Sequence, residues 1–505
     1  MSFNTIPFLA FLALTVVLHY IVPRKGRNPV LLAASLAFYL FGTTPGFVVF
    51  LVLSALITWC CGNRVAAAEA PRYRRLWLLL GASFQIGLLC FFKYNHLLFP
   101  QLANWLGGLG FAYAAQTAGG AWRILLPMGI SYYSFQSLTY VLDLAKRKNG
   151  AAPERSFVDF LLFVSFFPQI ISGPIGWACE LLPQYKAARN FNPTLFTDGL
   201  RLMLIGFFKK IAVADMLAMV INPVFADQSA YTGLTLMATV VLYAFYLYCD
   251  FSGYSDIARG CAALFGIALR ENFNTPYLST SFVELWRRWH MSLSAWLREY
   301  VYIGLLGGNR KGKVRKYCNV LFTFIISGLW HGVGLPYFIW GSLQGVFQMI
   351  ENFLRDRGKY DLEPKGWRFW PRVVLVFLLN AWTLTIFRAP SLADSLAILT
   401  RQFTQLSLGD FIAQFTALIG QGFNATPLLM AAYVAFCVLT LGLVIAADLY
   451  RYFRLRGGCL AEHLGAQRVW VRWLVYYGML ALIFAAFLMQ NGNYVGSVSF
   501  AYGGF

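Results

Sequence analysis

Trp330-His331-Gly332 closes an apolar run from Leu321 to Trp330. An imidazole in that position can carry a proton, take up an acyl group or bind a metal near neutral pH, and hydrocarbon makes each ionised form costly. A second histidine, His290, ends the run Trp286-Arg287-Arg288-Trp289-His290. The third group is Tyr248-Cys249-Asp250-Phe251-Ser252-Gly253-Tyr254-Ser255-Asp256, which follows an aromatic stretch. A carboxylate at bilayer depth costs roughly 2.5 to 3.5 kcal/mol on an insertion scale, so Asp250 requires a partner or a cavity. Asp250 and Asp256 fall about 120° apart around a helix and do not form a carboxylate pair. Each feature also has a purely structural reading: a hydrogen-bonded core histidine, a histidine packed with tryptophans at an interface, a capping or interhelical aspartate. Lys209 and Lys210 interrupt another apolar run, where snorkelling and anion binding both account for them. The two central histidines have no carboxylate or thiolate at ligand spacing, so no metal is expected.

The elements that must position these groups are membrane helices. Of 505 residues, 59% are hydrophobic and 12% charged, more apolar surface than one soluble core uses. The apolar runs are continuous rather than alternating, which excludes a β-barrel. The formal charge of +20 sits in loops between apolar runs, which reads as membrane orientation rather than nucleic-acid binding. Nine scattered cysteines show no paired spacing and read as reduced. The run from Ile6 to Val22 has no basic leader or cut site and is followed by Arg24, Lys25 and Arg27, so it reads as a retained span.

Apolar runs near 6–22, 29–42, 46–61, 76–92, 124–142, 157–176, 200–222, 236–250, 317–332, 335–354, 372–388, 428–447 and 470–490 predict an all-α polytopic membrane protein. Some are short, so the expectation is about 11 crossings with re-entrant or interfacial pieces, Trp105 to Tyr113 being one candidate surface helix. Basic loops at 24–27, 64–75, 146–155, 268–316, 355–372 and 451–472 are placed in the cytoplasm; Thr43-Thr44-Pro45, the 389–427 connection, the tail 491–505 and both termini are placed outside. The chain reads as one embedded domain over 1–505, with a motif-rich core to residue 355 and looser helices after it. No internal repeat is visible, which argues against an inverted-repeat transporter.

Segment 268–316 carries nine Lys or Arg against three acidic residues. In it Trp286, Trp289, His290, Leu293, Leu297 and Tyr300 share one helical face, with Glu284, Arg287, Arg288 and Arg298 opposite, predicting a helix at the membrane interface or a cavity mouth. Further on, fourteen residues from Tyr317 carry a helix about 21 Å into a ~30 Å core before Gly332, Gly334 and Pro336 break it. His331 is therefore expected at a hairpin tip inside the membrane, reachable from both sides, because broken backbone at that depth is tolerated only beside protein or water.

These residues, with Phe92-Lys93-Tyr94, Leu126 to Ser131, Phe167-Pro168-Gln169, Ser172-Gly173-Pro174, Glu271 to Asn274, Pro276-Tyr277, Gly307 to Arg310 and Gly328 to Gly332, resemble the membrane-bound O-acyltransferase family over about residues 1 to 355. The resemblance implies a multi-helix bundle around a central funnel and acyl transfer across a membrane, with the active-site histidine at His331 and the second polar position at His290. Acyl transfer from a thioester to a hydroxyl needs a base or a transient nucleophile, which a desolvated imidazole supplies. Asp250, Ser252, Tyr254, Asn274 and Trp330 are the candidates to shape the substrate site. Arg287, Arg288, Asn309 and Arg310 are candidates to meet the phosphates of a coenzyme A or phosphopantetheine donor, with plain membrane anchoring as the alternative.

The expected function is transfer of an acetyl group from a cytoplasmic thioester such as acetyl-CoA, across a bacterial inner membrane, for O-acetylation of an exported polysaccharide such as alginate. The resemblance favours a periplasmic acetyl-relay protein as partner. No tightly bound cofactor and no nucleic acid are expected. Peptidoglycan O-acetylation and D-alanyl transfer to teichoic acid are the alternatives within the family; a transporter, or a scaffold for polysaccharide export, are those outside it.

Overall fold

The computed structural model describes residues 3–43, 46–108, 126–147, 150–310, 312–361, 364, 366–389, 391–423 and 426–490. The Thr44-Pro45 turn, the second half of the expected 105–113 surface helix and the tail 491–505 lie outside them. Among the described residues the regular structure is helical, with no strand. Among the described residues six helices are long and apolar enough to cross a membrane: Gly46–Ala67, Pro71–Asn95, Gly233–Leu264, Gly366–Arg388, Pro427–Phe453 and Val469–Met489. That is a multi-pass membrane protein.

The chain divides into two compact units, one built mainly from 6–191 with 265–269, the other from 192–264 and 270–505. Hydropathy marks spans and does not show which spans pack together.

The first unit contains α1 (Ile6–Ile21), α2 (Arg27–Gly42), α3 (Gly46–Ala67), α4 (Pro71–Gly108), α5 (Ile130–Lys146), α6 (Phe157–Ser165) and α7 (Ala178–Lys186). The span expected over 157–176 is corrected. Only Phe157–Ser165 is helical, because Pro168, Gly173 and Pro174 follow within ten residues and cannot continue it. Helix α5 is buried along nearly its whole length although it is rich in Ser and Tyr.

The second unit contains α8 (Pro193–Phe207), α9 (Phe208–Ala214, wound as a π-helix), α10 (Asp215–Ala226), α11 (Gly233–Leu264), α12 (Phe282–Arg288), α13 (Met291–Trp296), α14 (Leu297–Leu305, also π), α15 (Lys313–His331), α16 (Leu335–Asp356), α17 (Phe369–Arg388), α18 (Leu392–Arg401), α19 (Leu408–Phe423), α20 (Pro427–Phe453), α21 (Leu460–Gly465) and α22 (Val469–Met489). Helices α8 and α11 touch backbone to backbone: a Cβ on Gly206 would lie 2.6 Å from the Gly253 carbonyl oxygen. Such small-residue contact is how helices associate where lipid removes the hydrophobic drive.

That approach sets the position of Asp250. Lys210 Nζ, on the π-helical turn, lies 2.7 Å from Asp250 Oδ1 and 2.8 Å from Asp215 Oδ1, and all three side chains are buried. Lys209 reaches Asp256 at 2.8 Å. Snorkelling is thereby excluded for Lys210; its charge is held inside, between two carboxylates. The two aspartates take different lysines, as their angular separation requires.

Candidate active site

His331 is the last residue of α15, and Gly332 to Gly334 connect directly to α16. The hairpin closes tightly because Gly328 and Gly341 face each other; a Cβ on Gly328 would stand 3.1 Å from the Gly341 Cα. The imidazole is 2% exposed and ringed by aromatics: Trp330 at 4.8 Å between centroids, Trp340 at 5.2 Å and Phe387 at 5.5 Å. The expected hairpin tip is present, but the ring is caged rather than open on two sides, since each neighbouring helix contributes an aromatic side chain at this level.

His290 does not lie in a continuous amphipathic helix. The chain breaks between α12 and α13, with His290 in a left-handed conformation at φ 43°. The expected buried face survives the break: Trp286, Trp289, His290, Leu293, Leu297 and Tyr300 are all buried. Asn272, which sequence reasoning passed over, holds the break, accepting from Met291 N through its carbonyl (2.9 Å) and from Ser292 N through its side chain (3.2 Å). Its amide in turn donates to Ser255 Oγ at 3.0 Å.

Phe251 stands edge-on to His290 at 4.8 Å, and Trp330 at 6.3 Å. Trp330 therefore contacts both imidazoles. Burial pushes the His290 imidazole down to about 3, so it is neutral at physiological pH.

Of the substrate candidates, Asp250 is committed to Lys210, and Tyr254 stacks on Phe3 at 4.9 Å. Asn274 donates to the Gly457 carbonyl at 3.3 Å, bracing the connection after α20. Ser252 Oγ is buried without a hydrogen-bond partner among the described residues, as are Ser327 Oγ and Trp340 Nε1. Ser327 lies one turn before His331 on the same face of α15. Unsatisfied buried donors of this kind are costly and mark places built to receive another polar group.

A cavity of about 480 Å³ is lined by Trp286, Arg287, Arg298, Tyr302, Asn309, Lys316, Phe324 and Arg355, among others. Arg287 and Asn309, two of the expected donor residues, line this cavity. Arg288 does not line it: its Nε donates to Glu284 at 2.9 Å, its Nη1 to Asn274 O and Thr275 Oγ1, and the guanidinium lies over Tyr452. Arg310 is exposed beside Asn309 and outside the lining. Arg298, which spacing set on the same face as Arg287, joins the lining, as do Lys316 and Arg355 from other helices, which linear spacing does not reveal. Lys316 is paired with Asp356 at 2.7 Å, whereas among the described residues Arg287 and Arg298 are in no ion pair.

Helix α12, which carries Arg287, is capped on both sides of its start. Ser281 Oγ accepts from Glu284 N at 3.0 Å, and Glu351 of α16 accepts from Phe282 N and Val283 N at 2.8 and 3.0 Å. The Ser-x-x-Glu spacing signals the first cap in the sequence; Glu351 becomes visible only in the fold. Two rings connect the cavity to the histidine. Trp286, in its wall, packs on Trp340 at 5.9 Å, and Trp340 on His331 at 5.2 Å.

A buried imidazole on a hairpin tip, next to unpaired donors and a basic cavity, suits acyl transfer. The MBOAT, membrane-bound O-acyltransferase family, model matches residues 73–386, and the chain belongs to that family. It is 35% identical to the probable alginate O-acetylase AlgI of Pseudomonas putida over 90% of this chain and 88% of that protein. Its identity to the protein of the same description from Azotobacter vinelandii is 36%, over 86% and 84%. With the peptidoglycan O-acetyltransferase of Helicobacter pylori it is 32%, over 79% of each.

Proposed function

We propose that this membrane O-acyltransferase moves an acetyl group from a thioester, acetyl-CoA or a carrier-bound phosphopantetheine, to the hydroxyl of an exported polysaccharide, alginate being the first candidate. The observation that carries the reading is His331 at the α15–α16 tip with the unpartnered Trp340 indole N–H beside it. The donor enters through the basic cavity, where Arg287 and Arg298 meet its phosphates and Asn309 extends the rim. Its thioester passes the Trp286 and Trp340 rings to reach the histidine.

There His331 accepts the proton of the attacking hydroxyl as the oxygen bonds to the acyl carbon. The Trp340 N–H donates to the oxyanion, and the thiolate departs taking the proton from the imidazolium. His290, neutral and buried, braces Trp330 from the other side. Two relatives carry the alginate assignment, and the Helicobacter pylori relative supports peptidoglycan as the second acceptor. Placement in the bacterial inner membrane with both termini periplasmic completes the reading; where a periplasmic relay protein takes part, the hydroxyl that attacks at His331 is the relay's, and the polysaccharide receives the acetyl from it.

Linkage analysis of exported polysaccharide, combined with thiol release by the purified protein, tests it. Acetyl lost from alginate and thiol release abolished by His331→Ala are expected; unchanged release in that variant overturns the role of His331, and acetyl missing only from peptidoglycan moves the acceptor.

A further inference from the structure

The first unit holds a cluster of cations that the acyl-transfer site does not use. Helix α1 ends at Ile21, Pro23 turns the chain, and Arg24 and Lys25 precede α2, which begins with Arg27 and Asn28. Arg189 packs on this turn from the stretch after α7. Arg27 Nη1 donates to the Arg189 carbonyl, and Arg189 Nη2 donates to Asn28 Oδ1. Asn28 is itself fixed, its amide donating to Asp159 Oδ1 at 2.7 Å and to the Tyr185 carbonyl at 3.0 Å. Arg24 donates to Asn190 Oδ1 at 2.9 Å. Both inner guanidinium groups are thus anchored through single N–H groups to neutral acceptors.

Their remaining donors are left over. Arg189 Nε and Nη1 and Arg27 Nε are buried and make no hydrogen bond among the described residues. Arg189 is only 8% exposed. The flanks are closed by rings: Arg27 lies over Tyr20 and Arg189 over Tyr185, while fully buried His19 packs behind Tyr20 on Phe265. Burial first, and then the Arg27 charge, push the Arg189 guanidinium down, with Tyr185 and Asp159 acting the other way.

Snorkelling accounts for Arg24 and Lys25, whose ends reach solvent. It does not account for a guanidinium enclosed with two nitrogens unused, because a buried charged donor without a partner is among the costliest arrangements a fold can hold. A guanidinium fork matches the oxygens of a phosphate, and these two are neighbours, Arg27 holding the Arg189 carbonyl. Beside them Ile21 is 73% and Phe191 53% exposed, and Phe191 stands edge-on to Tyr20 at 5.3 Å, offering an apolar bed next to the charged pocket.

We propose that Arg27 and Arg189 bind the phosphate of an anionic phospholipid headgroup at the end of α1, with its acyl chains along Ile21 and Phe191. Such a lipid supplies both halves of the match, a fixed anion and hydrocarbon, and anionic headgroups concentrate at the leaflet that basic loops face.

The test uses full-length protein in dodecyl maltoside, which carries no phosphate. Thermal unfolding is followed while dioctanoyl phosphatidylglycerol, dioctanoylglycerol or inorganic phosphate is added. Phosphatidylglycerol is expected to raise the unfolding temperature, and Arg27→Gln or Arg189→Gln to move its half-maximal concentration up about tenfold, the loss of one charge-assisted hydrogen-bonding group. If Arg189→Gln does not fold, Arg27→Gln, at a side chain only partly buried, carries the test. An unchanged dose response in the folded variants overturns the site. Equal stabilisation by dioctanoylglycerol overturns headgroup recognition, and the full shift from inorganic phosphate alone makes it a free-phosphate site instead.

Discussion

Trp340 meets His331 edge-on with ring centroids 5.2 Å apart, and its buried indole N–H has no hydrogen-bond partner among the described residues. The same side chain packs on Trp286 in the wall of the basic cavity, so one residue links that wall to the histidine. Replacing it with phenylalanine keeps most of the packing and removes the donor. Trp340→Phe is expected to lower kcat by 10²- to 10³-fold, the usual effect of deleting one oxyanion donor, with little change in KM. A KM effect alone, in steady-state thiol release, assigns the ring to donor passage.

His331→Gln should remove transfer while leaving the fold intact. A general base contributes about 10²- to 10⁴-fold, so residual turnover above about a tenth of wild type is incompatible with that role. His290→Ala is expected to lower turnover less completely, because that ring acts through Trp330 and Phe251.

Arg287→Gln and Arg298→Gln are expected to raise KM for a phosphate-bearing thioester with kcat nearly unchanged, since the proposed donor site puts them far from the reacting carbon. A charge-assisted hydrogen bond contributes about 1.5 to 3 kcal/mol, roughly 10- to 100-fold in KM. The discriminating measurement is a truncated thioester without phosphates, which both variants should use as well as wild type.

Lys210→Met leaves Asp215 and Asp250 buried together without their cation. Breaking such an arrangement costs about 3 to 5 kcal/mol, so detergent-solubilised Lys210→Met should unfold at markedly lower temperature. Restoring charge balance with Asp215→Asn and Asp250→Asn in the same chain should recover much of the loss. No recovery indicates that Lys210 has a role beyond neutralisation.

The acid side of the stability profile is set in part by His290. Its pKa is near 3 in the folded protein and about 6.5 when unfolded, so the unfolded chain binds the proton more readily. Its contribution is complete above pH 6.5 and declines as pH falls from there toward 3, by up to about 1.4 kcal/mol per pH unit. His290→Gln should flatten melting temperature against pH in that window; an unaltered slope shows that the imidazole is not buried in solution.

The sequence by itself determined the class of the molecule, the hairpin tip at His331, the buried aromatic face of 286–300 and the basic character of a cavity rim at Arg287 and Asn309. Those features are written in hydropathy, in Gly and Pro placement, and in spacing along a single segment. It did not determine that Lys210 would be sealed between Asp215 and Asp250, that Arg288 would turn to Glu284 and Tyr452, that Trp340 would pack on His331 and Asn272 hold the break at His290, or that Glu351 would cap α12. Each depends on which helix lies against which, and Gly206 against Gly253 or Gly328 against Gly341 set those approaches at distances that no periodicity in one strand of sequence records. The break at His290 has the same origin: its local pattern is helical, and contacts from Asn272, close in sequence but across a turn in space, override it.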